Sequence, residues 1–201
     1  LVFPVIHGEF GEDGELQSLM DSVGLEYCGS SAKSSRLCIN KIAAKKCVST
    51  VGVRVPKSFH FDHPSQCNPD KLISSLGENL VIKPVAQGSS VSLFLTSGLV
   101  ELENQLKQIG PGNWMVEERI YGREVTIGVL DTHPLGVVEV IPVGGVYDYK
   151  RKYTSGATEY RFPAVLEQET ENEIKKFALN SFESCGCRDF ARIDFIICED
   201  G

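Results

Sequence analysis

The first 24 residues join an apolar segment to an amphipathic helix through a run of glycines, and no other feature limits the fold as tightly. Residues 1–6 read as a short buried strand that ends at His7-Gly8. Leu16, Leu19, Met20 and Val23 then fall at i, i+3, i+4 and i+7, the spacing of one helix face, with Gly24 placed as a C-terminal cap. Between the two, Gly8, Gly11 and Gly14 permit a tight backbone path at the carboxyl end of the strand, where open α/β sheets bind ligands. His7 and Glu12 supply a polar and a titratable group there, and the helix start offers unpaired N–H groups to an anion. The same residues also suit a plain acidic helix start, in which Asp and Glu complement the helix dipole.

Beyond this beginning the order changes. A loop at Cys28-Gly29-Ser30-Ser31 supplies an N-cap for a helix that carries Ile39, Ile42, Ala43 and Cys47 on one face and stops near Gly52. Residues 53–61 are strand-like, with Pro56 placing them at an edge or a strand start. A short helix over 71–76 precedes an apolar strand over 80–85, and the loop Gln87-Gly88-Ser89-Ser90 leads to a partner strand over 91–96. Leu99, Leu102, Leu106 and Ile109 mark a helix closed by Gly110-Pro111-Gly112. Residues 114–120, 124–130 and 135–143 follow as successive strands. The stretch 144–158 is rich in Gly, Tyr, Lys and Arg without periodicity, as in a lid or binding loop. Ile174, Phe177, Ala178 and Phe182 define a last helix capped by Gly186, and residues 190–198 a final strand that leads into a turn at Glu199-Asp200-Gly201, after which another strand is expected. The class is therefore α/β at the start and α+β afterwards, which a single doubly wound sheet does not fit.

Charge and cysteine usage narrow the function. Twenty basic against 27 acidic residues leave a net charge of −7, which argues against a nucleic-acid-coating or anionic-membrane surface. No apolar run approaches the roughly 18 residues a membrane helix needs, and residues 1–6 lack the charged start and long apolar stretch of a signal peptide. The seven cysteines include no C-x-x-C pair and show no zinc spacing with histidine. They read as reduced thiols, several of them buried, in a reducing compartment.

Four further stretches can carry chemistry. Lys83 stands inside an apolar strand, where burial is costly without an anionic partner. The Gly88-Ser89-Ser90 loop after it can close backbone amides over phosphates, although neither the P-loop nor the Rossmann pattern is present. A hairpin with Lys83 snorkelling to the surface is the alternative. Glu117, Glu118 and Glu124 flank the turn Ile120-Tyr121-Gly122-Arg123 and can hold ribose hydroxyls, or can simply end exposed strands. Residues 147–153 combine three tyrosines with three cations and can cover an anionic ligand or form a solvated basic turn; the net charge argues against a nucleic-acid contact. Arg192 and Asp194 lie two apart in a strand and so share a face. They can form a structural ion pair, or divide labour between stabilising negative charge and binding Mg²⁺. His60, His63 and His133 read as surface residues.

Taken together these stretches resemble the D-alanine:D-alanine ligases of the ATP-grasp superfamily. The run from His7 to Ser18 fits the pattern H-G-x-x-G-E-D-G-x-[apolar]-Q-[small] at every fixed position. Lys83-Pro84 with Gly88-Ser89-Ser90-Val91, Tyr147-Asp148-Tyr149 with Lys152-Tyr153, and Arg192-Ile193-Asp194 recur in the family's order and approximate spacing. Asn40-Lys41 and Gln87-Gly88-Ser89-Ser90 stand where the family usually has Asp-Lys and Glu-Gly-Ser-Ser, and Ser92 where a glycine is common.

The resemblance implies an ATP-grasp fold. Residues 1–30 would end an N-terminal α/β substrate domain, 31–118 would form the central lobe, and 119–201 an incomplete C-terminal lobe. It implies ligation of two D-alanines through an acyl phosphate, for peptidoglycan precursor synthesis. Lys41 and Lys83 would neutralise ATP phosphates, with Gly88, Ser89, Ser90 and Lys152 among the nucleotide-binding residues. Glu117 and the 118–120 segment, Glu118 to Ile120, would border the adenine, and Glu124 would take the ribose. Ser89 and Tyr153 would link the phosphate loop to the lid, and His7 and Glu12 would sit beside the first substrate. Arg192 would stabilise the oxyanion, and Asp194 would hold Mg²⁺, for which Mn²⁺ can substitute. An early glutamate, a late E-x-N metal motif and a serine-bearing loop are expected outside the 201 residues, so that this stretch alone is expected to be inactive. A cytoplasmic homodimer follows by family, an organelle stroma being the other reducing compartment. D-alanine:D-lactate or D-alanine:D-serine ligation, and nucleotide binding without turnover, are the competing readings.

Overall fold

The computed structural model describes residues 1–88, 92–142 and 158–198. These divide into two compact units, one of residues 55–120 and one of residues 1–54 with 121–201. Each unit carries a four-stranded sheet in which every pairing is antiparallel. No described helix is long and apolar enough to cross a membrane.

In the smaller unit the strands are β1 (Ser58–Phe61), β2 (Asn79–Pro84), β3 (Phe94–Ser97) and β4 (Trp114–Glu118), in the order β1-β4-β2-β3. Helices α4 (Pro69–Leu76) and α5 (Gly98–Gln108) supply the other half of its core. Alternation along β2 sends Leu80 and Ile82 to one face, where they meet Phe61, Leu72, Leu102, Leu106 and Val116. Val81 and Lys83 are left on the opposite face. Strand β1 is shorter than expected. Pro56, which has no N–H to give to a ladder, lies before it rather than inside it.

The larger unit orders its strands β7-β6-β5-β8, with β5 (Arg123–Leu130), β6 (His133–Pro142), β7 (Thr158–Arg161) and β8 (Phe190–Ile197). Helix α6 (Gln168–Ser184) lays Ile174, Ala178 and Phe182 against Val125, Ile127, Val129 and Val137 of the sheet. Helices α1 (Glu15–Ser22), α2 (Ala32–Ile39) and α3 (Lys41–Ser49) pack in succession, α3 against α6.

Three expectations are corrected here. Residues 1–6 are not a buried strand: Val2 makes one isolated bridge to Tyr27, and Leu1, Phe3 and Val5 are 87%, 62% and 80% exposed. Of the apolar face expected on α1, Met20 is buried while Leu19 and Val23 are exposed. The helix expected through Ile39 and Cys47 is two helices. Asn40, in extended conformation, ends α2 and caps α3, its Oδ1 accepting from Ile42 N at 3.1 Å and Ala43 N at 3.0 Å. A side-chain acceptor there satisfies N–H groups that a continuous helix would have bonded to its own carbonyls.

Candidate functional site

The glycine run at residues 7–14 folds into a loop fastened by its own acids. Glu12 Oε2 accepts from Gly8 N at 3.0 Å, while Asp13 takes Phe10 N at 2.7 Å and Glu15 N at 2.9 Å. The N–H groups of Glu15 and Phe10 hold the Asp13 carboxyl below its usual range. Gly11 is dictated by contact, since a Cβ there would lie 2.2 Å from the Ile6 carbonyl oxygen. Gly14 combines φ of +87° with 2.5 Å to the Ala32 carbonyl oxygen, so no larger residue fits the α1 cap. Buried Gln17 donates from Nε2 to Gly11 O at 2.9 Å and holds the loop from below. His7 is exposed. Sequence reasoning weighed Glu12 as a substrate group and passed over Asp13 and Gln17. Asp13 is legible as an acid one residue before a glycine cap.

On the smaller unit's sheet, Lys83 and Glu117 stand on one face of adjacent strands, diagonally across the ladder, and their side chains form an ion pair. Glu117 is only 7% exposed, so this is the anionic partner that a half-buried lysine requires. Glu118 turns the other way: its Oε1 accepts from Lys57 N at 2.7 Å and ties β4 to the start of β1. Ile120 follows two residues on, half-buried, and Gly88 ends the described stretch after β2. Ser89, Ser90, Lys152 and Tyr153, with the whole of residues 147–153, lie outside the described residues.

On the larger unit's sheet, the face turned away from α6 gathers the other candidates. Glu124, Thr126 and Gly128 of β5 stand opposite Ile196, Asp194 and Arg192 of β8. Arg192 and Asp194, 71% and 64% exposed, pair through Nε–Oδ1 at 3.1 Å and a second contact at 3.3 Å. Thr126 Oγ1 donates to Asp194 Oδ1 at 2.7 Å. Thr126 was missed in sequence, although it shares the period-2 face of Glu124 within one strand. Lys41 is the first residue of α3, immediately after the Asn40 cap.

Mg²⁺ takes about six oxygen ligands and often only one or two of them from protein carboxylates, the rest from phosphate and water. Asp194 fits one such position. Among the described residues no group of three or more His, Cys, Asp or Glu is arranged to hold a metal. His60, His63 and His133 are exposed, as expected.

Two all-antiparallel sheets with helices on one face, a lysine–glutamate pair on one and an arginine–aspartate pair on the other define an ATP-grasp architecture. The comparisons make the family specific. Residues 48–201 match the D-ala D-ala ligase C-terminus family, and the chain belongs to it. It is 37% identical to a D-alanine–D-alanine ligase of Thermotoga petrophila across 98% of its own length and 64% of that protein's. The chain therefore spans somewhat under two thirds of that relative. Among solved structures it superposes on the VanG D-Ala:D-Ser ligase from Enterococcus faecalis with a TM-score of 0.87 at 33% identity, covering 100% of this chain and 60% of that one. The D-alanine–D-alanine ligase from Bacillus anthracis complexed with ATP gives 0.84 at 25% identity, covering 98% and 63%.

Proposed function

We propose that the complete protein is an ATP-dependent D-alanine:D-alanine ligase serving peptidoglycan precursor synthesis, working in the cytoplasm as a homodimer. The observation that carries this reading is the Arg192–Asp194 pair on an open sheet face of a chain 37% identical to a D-alanine–D-alanine ligase. In the reaction, a carboxylate oxygen of the first D-alanine attacks the γ-phosphorus of ATP and ADP leaves. The amine of the second D-alanine then attacks the acyl carbon, and phosphate leaves from the tetrahedral intermediate.

The chain's own residues divide this work. Lys83 exchanges Glu117 for the nucleotide's phosphates, aided by Lys41 at the start of α3. The 118–120 segment borders the adenine and Glu124 takes a ribose hydroxyl. His7 and Glu12 lie beside the first substrate. Arg192, whose planar donors suit an oxyanion, stabilises the charge that develops on the acyl oxygen. Thr126 orients Asp194. Asp194 would hold Mg²⁺ or Mn²⁺, a cation that spreads the charge of the transferring phosphoryl group. Ser89 and Tyr153 would link the phosphate loop to the lid and exclude water, which would otherwise hydrolyse an acyl phosphate, and Gly88, Ser90 and Lys152 would bind the nucleotide.

The VanG likeness favours D-serine as a second acceptor, and one experiment separates the readings. Phosphate release from ATP by the complete protein is measured with D-alanine alone and with D-serine or D-lactate added, and the dipeptide or depsipeptide is identified by mass. D-alanine-dependent release yielding D-alanyl-D-alanine is expected, with at least a hundredfold loss of kcat in Arg192→Ala, since one oxyanion donor is worth about 10²–10³ in kcat. A mixed product moves the assignment to the D-serine or D-lactate reading. Nucleotide binding with no acceptor-dependent release sinks the ligase reading.

A further inference from the structure

Cysteines far apart in sequence converge where α2 meets the end of α6. Gly186, at φ of +65°, closes α6 in a left-handed turn, with its N–H on Glu183 O at 2.9 Å and Cys187 N on Phe182 O at 3.0 Å. This turn carries Cys187 back toward α2, and its Sγ lies 3.9 Å from Cys38 Sγ. Ser34, one helical turn before Cys38, donates to Cys185 O at 2.9 Å and lies 3.5 Å from Cys187 Sγ, fixing the two segments together. Cys38 is exposed, so a small oxidant reaches the pair.

The surroundings make these sulfurs unequal. Interaction with Cys38 holds Cys187 down to about 6 and Cys185 down to about 7, while Cys38 itself is pushed up. Cys47, whose S–H reaches Ser184 O at 3.1 Å, is pushed up by burial, and burial alone pushes Cys67 up to about 11. A half-buried thiolate, Cys187, beside an exposed protonated thiol, Cys38, is the arrangement of a nucleophile and its resolving partner. The 3.9 Å between the two sulfurs is the geometry that favours sulfur–sulfur chemistry.

We infer that Cys38 and Cys187 form a modification site that a peroxide converts reversibly into a disulfide, tying the C-terminal end of α2 to the α6–β8 connection. The Cys187 thiolate attacks a peroxide oxygen. An S–O bond forms, the O–O bond breaks, and the departing hydroxide takes a proton to become water. The Cys38 sulfur then attacks the sulfenic sulfur; the S–S bond forms, the S–O bond breaks, and hydroxide leaves with the Cys38 proton as a second water. The two sulfurs lose two electrons and the two peroxide oxygens gain them. Closing from 3.9 Å to a bond of about 2.05 Å requires side-chain rotation at the exposed end of α2. The inference stands independently of the ligase reading.

The test uses the complete, reduced protein exposed to hydrogen peroxide near stoichiometric amounts, then quenched with N-ethylmaleimide and digested for mass spectrometry. A peptide joining Cys38 to Cys187 is expected, lost on treatment with dithiothreitol, while Cys28, Cys67 and Cys198 stay alkylated and the free-thiol count falls by two. In Cys38→Ser, Cys187 is expected to stop at the sulfenic acid and be trapped by dimedone. The inference is overturned if the wild-type protein gives no such linked peptide, if Cys38 pairs with Cys185 instead, or if the other thiols oxidise as fast. The wild-type result decides the matter whether or not the variant folds.

Discussion

Glu139 has a guanidinium at each of its carboxylate oxygens: Arg123 Nε lies 2.7 Å from Oε1 and Arg161 3.4 Å from Oε2. The carboxylate is only 6% exposed, and the Arg123 hydrogen bond, with the charge of Arg161, holds it below its usual range. A carboxylate lowered in the folded state stabilises above its unfolded pKa of about 4.3 and loses that contribution as pH falls through the folded value. Glu139→Gln is therefore expected to cost about 1–3 kcal/mol at neutral pH, less than breaking a wholly buried pair because both arginines are about half exposed and rehydrate. Urea midpoints taken from pH 7 to pH 3 check this. The wild-type advantage should shrink on the acid side, and a constant gap would refute the assignment. The sequence showed Arg123 only as part of a turn and gave no hint of Glu139, because their pairing depends on the register of β5 with β6. Lys83 was more legible. An ammonium inside an apolar strand needs either a carboxylate or a path to solvent, and the fold supplies the carboxylate, Glu117.

At the scale of elements, Asn40 shows how one side chain divides a helical pattern. The periodicity of Ile39, Ile42, Ala43 and Cys47 was read correctly as helical, yet a short polar side chain that accepts two N–H groups makes a new start more stable than continuation. Asn40→Ala is expected to lower the unfolding free energy by about 1 kcal/mol, and Asn40→Asp to keep or slightly raise it, because a carboxylate also complements the helix dipole. Chemical denaturation of both variants is the check; an alanine variant as stable as the wild type would mean the cap contributes nothing. Elsewhere, apolar runs and turn signals placed strands well: β2, β5 and β8 lie where the apolar pattern put them. What periodicity could not supply was which apolar face finds a partner. Leu19 and Val23 satisfy the helical spacing and are exposed nonetheless. Strand β7, four residues with little burial, carries no alternation to read.

Across the whole molecule, each sheet has one face committed to a core and places candidate chemistry on the other. Lys83 and Glu117 stand behind Leu80, Ile82 and Val116, and Glu124, Thr126 and Asp194 behind Val125 and Ile127. That arrangement fixes the candidate side chains through strands that cannot shift by one residue without turning their apolar side chains out of the core. It also explains why candidate residues could be read from alternation in a single strand while their assembly could not, since neither strand order nor register is written locally. Leu102, with no exposed surface, joins the smaller unit's core, so Leu102→Ala is expected to cost about 2–5 kcal/mol. If each core is the cooperative unit for its own sheet, amide exchange in this variant should accelerate in β1 to β4 and reach β5, β6 and β8 much less. Phe182→Ala, in the core of the larger unit, should give the reverse pattern. Equal acceleration in both sheets with either variant would show that the chain unfolds as a single cooperative body, and the view of two separately stabilised sheets would fall.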